Sequence, residues 1–79
     1  SMFSVYQDGA IILNISSKES VTAVCEVYNS LGQIITLKNI RINEGQNSVE
    51  LEGDFQNGIY YVSLFAGRNV LHTKFSIMD

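Results

Sequence analysis

From Val21 to Ile77 almost every stretch between turn residues alternates apolar side chains with polar or small ones. A repeat of two belongs to extended backbone, whose successive Cβ atoms point to opposite faces, and not to a helix with its 3.6-residue turn. In "VTAVCEVY", Val21, Ala23, Cys25 and Val27 share one face, while Thr22, Val24, Glu26 and Tyr28 share the other. The first set is small and apolar and suits an interior; Glu26 marks the second as the wetter side. Later, Tyr60, Val62 and Leu64 alternate with Tyr61, Ser63 and Phe65, and the pattern resumes from Val70 to Ile77. A turn at or near Gly67-Arg68 folds these two stretches together. Residues opposite one another in an antiparallel pair share a face. Leu71, Thr73, Phe75 and Ile77 therefore join Tyr60, Val62 and Leu64, and the other side collects Tyr61, Ser63, Phe65, His72, Lys74 and Ser76.

Turn residues divide the rest of the chain. Phe3 to Gln7 meets Asp8-Gly9 and continues as Ala10 to Ser16. Asp-Gly between such runs predicts a two-residue hairpin with positive φ at both central positions. Ser17 to Ser20 is a polar break. Asn29-Ser30-Leu31-Gly32 reverses the chain, with Gly32 supplying a left-handed conformation. Ile34, Ile35, Leu37, Ile40 and Ile42 follow, in one long strand or in two pieces bent near Lys38-Asn39. Glu44 to Asn47 turns again, Ser48 to Glu52 alternates with Val49 and Leu51 inward, and Gly53 to Gly58 is a loop pinned by Phe55. Ser1-Met2 reads as a remnant of tag cleavage followed by a start or cloning Met, so a single domain is placed at 3–79. About seven short strands with regular turn signals predict an all-β chain, an immunoglobulin-like antiparallel β-sandwich.

Size and charge bound the function. A chain of 79 residues buries only about 60% of the surface it exposes when unfolded. One core is expected, without room for a ligand pocket of ≈ 300 Å³. The net charge is −3, and Lys18, Lys38, Arg41, Arg68 and Lys74 are scattered singly. Nucleic acid and anionic membranes call for a basic patch, so neither is an expected partner. No apolar run approaches the roughly 20 residues of a membrane-spanning helix. Cys25 is the single cysteine, which excludes an internal disulfide and a CxxC pair.

No constellation for catalysis or for a metal emerges, and the expectation is a non-enzyme without a cofactor. His72 is the single histidine, set beside Lys74 on the outer face, and a zinc site needs about four ligands. Cys25 would need a His base to act as a nucleophile, and its parity makes it a buried, inert thiol. Glu52, Asp54 and Asn57 in "EGDFQNG" offer oxygens of the kind calcium binds, but match no EF-hand spacing; turn chemistry accounts for them. Glu50 and Glu52 point one way from a strand, without the cleft a glycosidase sets between its carboxylates. Asn14-Ile15-Ser16 fits the glycosylation pattern but lies in a strand. Tyr60 suits a tyrosine corner, its ring inside and its hydroxyl bonded to nearby backbone. Tyr61 and Phe65, with Val70 and Tyr28, make the outer face more apolar than solvent requires. That face is either a contact surface or is covered by a loop or the N-terminal hairpin.

The ordered pieces "VCEVYNSLGQII", "INEGQNSVEL" and "NGIYYVSLFAGRNVLHTKFSI" resemble the C-terminal sorting domain of proteins exported by the type IX secretion system of Bacteroidetes. The carrying residues are Leu31-Gly32, which closes the turn after an aromatic-ended strand; Gly58-Ile59-Tyr60, which starts a strand; and Lys74 in the last strand. The likeness covers roughly residues 21–77. The ends depart from it: the family's opening stretch is Tyr-Pro-Asn-Pro-like and its terminus often basic, whereas this chain reads "VYQDGAIILNI" and Ile77-Met78-Asp79. The opening is closer to small exported Bacteroidetes sandwich proteins of unknown function.

The resemblance implies a non-catalytic address label on an exported protein, recognised by secretion machinery or another surface protein. Its location would be the periplasm, the outer-membrane surface or outside the cell. The alternative is a small exported immunoglobulin-like interaction or accessory module, contacting protein or glycan, with no sorting role. Exposed strand edges would also admit pairing of two copies.

Overall fold

The structure is a computed structural model and describes residues 1–78. Seven strands follow one another: β1 (Met2–Gln7), β2 (Ala10–Ser17), β3 (Val21–Asn29), β4 (Ile34–Ile42), β5 (Gly45–Leu51), β6 (Gly58–Ala66) and β7 (Asn69–Ile77). They form a three-stranded sheet in the order β1-β2-β5 and a four-stranded sheet in the order β4-β3-β6-β7, with every neighbouring pair antiparallel. This is the predicted immunoglobulin-like sandwich. Among the described residues no helix is long and apolar enough to cross a membrane.

The inward parity is as the alternation requires. Ala23, Cys25 and Val27 of β3 are fully enclosed, beside Val62 and Leu64 of β6 in the same sheet and in one core with Ile11, Leu13 and Ile15 of β2 and Leu51 of β5 from the other sheet. Tyr60 lies opposite Phe75, Val62 opposite Thr73 and Leu64 opposite Leu71, so one face of the β6–β7 hairpin is a continuous part of the core. Gly67-Arg68 is the two-residue loop between them, with positive φ at Gly67 alone, as a type II′ turn has. Asp8 and Gly9 both take positive φ, at 52° and 81°, which is the type I′ turn that matches strand twist.

The β3–β4 turn is set by Asn29 and Gly32. The Asn29 Oδ1 accepts from the backbone N–H of Leu31 and of Gln33 at 3.0 Å each, and the Gly32 N–H donates to the Asn29 carbonyl at 3.0 Å. Gly32 holds φ at +84° with open space around it. An added Cβ would therefore meet only the left-handed backbone penalty of roughly 1–2 kcal/mol. Gly32→Ala is expected to lower the unfolding free energy by about that amount in a denaturant titration, with the fold retained.

Two expectations need correction, and one alternative is resolved. β1 starts at Met2, not Phe3: Met2 pairs with Ile15 and packs against the core, so it belongs to the sheet. Glu44 to Asn47 is not a turn, since β5 already begins at Gly45, and Gln46 and Asn47 pair with Ser16 and Ile15. Asn47 still shows turn chemistry, because its side chain accepts from the Asn43 N–H at 2.9 Å and donates to the Asn43 carbonyl at 2.8 Å. Finally, Ile34 to Ile42 is one strand, but an edge strand. Val27 pairs with Thr36 and Tyr28 with Ile34, leaving Ile35 as the extra residue of a bulge. Ile34 and Leu37, opposite Tyr28 and Glu26 on the outer face, are exposed together with the bulged Ile35, and the core takes Ile40 and Ile42.

Candidate interaction surface

Outer positions of the four-stranded sheet line up in cross-strand rows. One row runs Ile34, Tyr28, Tyr61, Lys74; the next runs Leu37, Glu26, Ser63, His72; a third runs Asn39, Val24, Phe65, Val70. The four residues expected to form a contact face thus share one side of the sheet, as two pairs with the Glu26, Ser63 and His72 row between them. Tyr28 and Tyr61 stack with ring centroids 6.0 Å apart, and Phe65 lies directly opposite Val70. Tyr61, Phe65 and Val70 are 38%, 41% and 47% exposed. The N-terminal hairpin does not cover them, because it belongs to the other sheet.

The middle row holds a residue that lies on the expected side without being exposed. Ser63 faces outward, yet it is buried. Its Oγ lies 3.1 Å from the Tyr28 hydroxyl and 3.1 Å from Nδ1 of His72. The neighbouring side chains roof it over and satisfy its hydroxyl, which is the condition for burying a polar group at little cost. His72 remains exposed, as a strand residue with one ring nitrogen engaged. The chain Tyr28–Ser63–His72 fixes the ring of Tyr28 from below and so orders the face.

The residues carried by the family resemblance are spread over the fold. Leu31 projects from the tip of the β3–β4 turn, 83% exposed, beside Gly32. Gly58 opens β6 with φ at +152°, a conformation that a side chain disfavours. Tyr60 is 7% exposed, and its hydroxyl donates to the Gln56 carbonyl at 2.7 Å, the geometry expected of a tyrosine corner. Its ring stacks on Phe75 at 5.2 Å and meets Phe55 edge-on at 5.3 Å. Lys74 stands exposed on β7.

Phe55 thus closes one end of the sandwich. The other end is open: a cavity of about 650 Å³ lies between Ile15, Val21, Ile42, Ala66 and Leu71, with Lys18 and Glu19 at its rim. This overturns the expectation that so small a sandwich has no room for a pocket. The connections at that end are two or three residues long and send no side chain inward as Phe55 does. Among the described residues no three His, Cys, Asp or Glu are grouped to hold a metal ion.

Cys25 is shut away from solvent, and burial pushes its thiol up to about 11. The folded chain keeps this proton where the unfolded thiol, near 8.5, has lost it. The associated stability is therefore complete below about pH 8.5 and falls as pH rises toward 11. Chemical denaturation across that range is expected to show a decline that Cys25→Ala lacks, with Cys25 unreactive to thiol reagents in the folded state at pH 8.

Sequence comparison bears on these surfaces directly. The model of the secretion system C-terminal sorting domain family matches residues 10–78, from the first residue of β2 to beyond the end of β7. The chain belongs to this family. This sorting domain is thereby placed with the type IX secretion modules found on proteins exported out of the cell. Sorting-signal families are not enzyme families. No curated protein and no solved structure matches the chain. The match takes in Leu31, Gly32, Gly58, Tyr60 and Lys74, and all four residues of the aromatic face. It leaves out β1.

Proposed function

We infer that this chain is a non-catalytic sorting module whose folded surface is read by secretion machinery, with the outer face of the four-stranded sheet as the surface read. One observation supports the choice of face: Tyr28 and Tyr61 in the first row and Phe65 and Val70 in the third share the same outer side of the sheet, three of them more than a third exposed, with the row of Leu37, Glu26, Ser63 and His72 between them. Isolated exposed apolar side chains are ordinary, whereas a contiguous set marks a contact surface, and aromatic residues are those that anchor interfaces. Leu31, exposed at the tip of the same sheet, extends the surface at its rim. Tyr60, Gly32 and Gly58 act through the fold, by fixing the corner and the turns.

The test is a reporter protein carrying this domain at its C-terminus in a host with a working type IX system. The expected result is reporter at the cell surface or in the medium; retention in the periplasm overturns the sorting reading.

A second reading is favoured by the same face. Half-buried Glu26 and exposed His72, set beside the Tyr28 and Tyr61 pair, offer the hydrogen-bonding and aromatic groups of a protein- or glycan-contact module. Binding of the isolated domain to a surface protein or glycan, with the reporter unsorted, would select it.

A further inference from the structure

We propose that the slot between β2 and β7 is a strand-acceptor site, and that the strand it exchanges is β1 of a second copy of this chain. The inference does not rest on the sorting reading.

β1 differs from the other six strands. The buried core draws on β2 to β7, and no residue of β1 is among its fully buried members. Met2 packs against the core from the side, while Phe3, Val5 and Tyr6 are 58%, 41% and 42% exposed. The family match begins at Ala10, the first residue of β2. Residues 10–78 therefore contain every buried core residue and the whole family pattern, and what they lack is Met2 at the core's margin and a partner for the second edge of β2. An unpaired edge beside a finished core is a template for an added strand.

The slot has a defined chemistry. On one side β1 pairs with β2 from Met2 opposite Ile15 to Gln7 opposite Ala10. On the other it lies against β7, where the Ser4 hydroxyl donates to the Lys74 carbonyl at 3.1 Å. Ser4 is the central inward residue, half-buried where the two sheets approach. The site therefore takes an extended segment with a small hydroxyl residue at its centre and apolar residues on either flank. Met2–Gln7 fits this pattern. A second copy presents the same segment with the same contacts, which is why exchange of identical elements is a low-cost route to a dimer. The connection to be opened is short, Asp8-Gly9.

Cysteine exchange tests this in the full chain. Val5 and Ile12 lie directly opposite each other on the outward face of β1 and β2, at a separation a disulfide can span after a small shift. One preparation carries Val5→Cys and a second carries Ile12→Cys. They are mixed at high concentration and then oxidised, with buried Cys25 staying out of the reaction. The expected result is a covalent dimer linked between positions 5 and 12, several-fold more abundant than the disulfide dimers of either variant alone. A mixture yielding only the dimers seen in the separate incubations overturns the proposal. The double variant Val5→Cys/Ile12→Cys, oxidised while dilute, locks β1 onto its own β2 and shows that the bridge forms on the native fold. Size-exclusion chromatography of the locked chain at high concentration is expected to show loss of dimer. A dimer that persists there arises from another edge, such as β4, and also overturns the proposal.

Discussion

Phe75→Ala is expected to lower the free energy of unfolding by about 3–5 kcal/mol, read as a shifted denaturant midpoint with an unchanged slope. The size follows from where the ring sits. Phe75 is 7% exposed, stacks on Tyr60 at 5.2 Å and meets Phe55 at 5.6 Å nearly perpendicular. Such aromatic pairs add about 0.5–1.5 kcal/mol each beyond their burial. The three rings come from β6, β7 and the loop before β6, so they close the end of the sandwich jointly. Truncating one leaves the other two facing a void that β-strands on both sides cannot collapse to fill. A domain of this size has about 4–12 kcal/mol in all, so the variant is expected to be partly unfolded at 37 °C. A loss under about 1 kcal/mol would mean that the end is not closed as described.

Tyr61→Ser combined with Phe65→Ser is expected to do the reverse: to leave the fold nearly intact and to reduce export of a fused reporter at least about tenfold, the equivalent of 1.4 kcal/mol of docking energy. Both residues point away from the core, and substitutions at such sites usually change stability by about 0.5 kcal/mol or less. Their partners are limited to Tyr28, Lys74, Val24 and Val70 across the strands. Buried aromatic anchors at interfaces cost about 2 kcal/mol or more when truncated. Cell fractionation gives the export readout and thermal unfolding the control. Export at the unmodified level would remove this face as the recognised surface, and the search would move to the Leu31 tip or the β4 edge.

Which residues face inward was legible because the period of two survives slips of two in register. The Asp8-Gly9 and Gly67-Arg68 turns were legible because few residue pairs suit those backbones. Periodicity names a face but not what lies over it. Ser63 alternates outward and is nevertheless buried, because Tyr28 and His72 come from strands 35 and 9 residues away. Ile34 and Leu37 are apolar but exposed because they stand on the outer face, opposite Tyr28 and Glu26, whereas Ile40 and Ile42 of the same strand are buried. Met2 was discounted as leftover sequence although its side chain reaches the core. Asn47 read as a turn residue because its amide does bond like one, within a strand. The open cavity depends on how short connections cross one end of the sandwich, which no local pattern encodes.

The strand order also governs how the chain can assemble. β2 must wait for β5, and β3 for β6, so neither sheet can be completed from neighbours in sequence alone. As synthesis or translocation proceeds from the N-terminus, hairpins can form and dissolve, but the first sheet is incomplete until Leu51 has emerged and the second until Ile77. Non-local pairing of this kind places folding in the millisecond-to-second range. A chain emerging N-terminus first therefore consolidates only once its last strand is available to pair with β6.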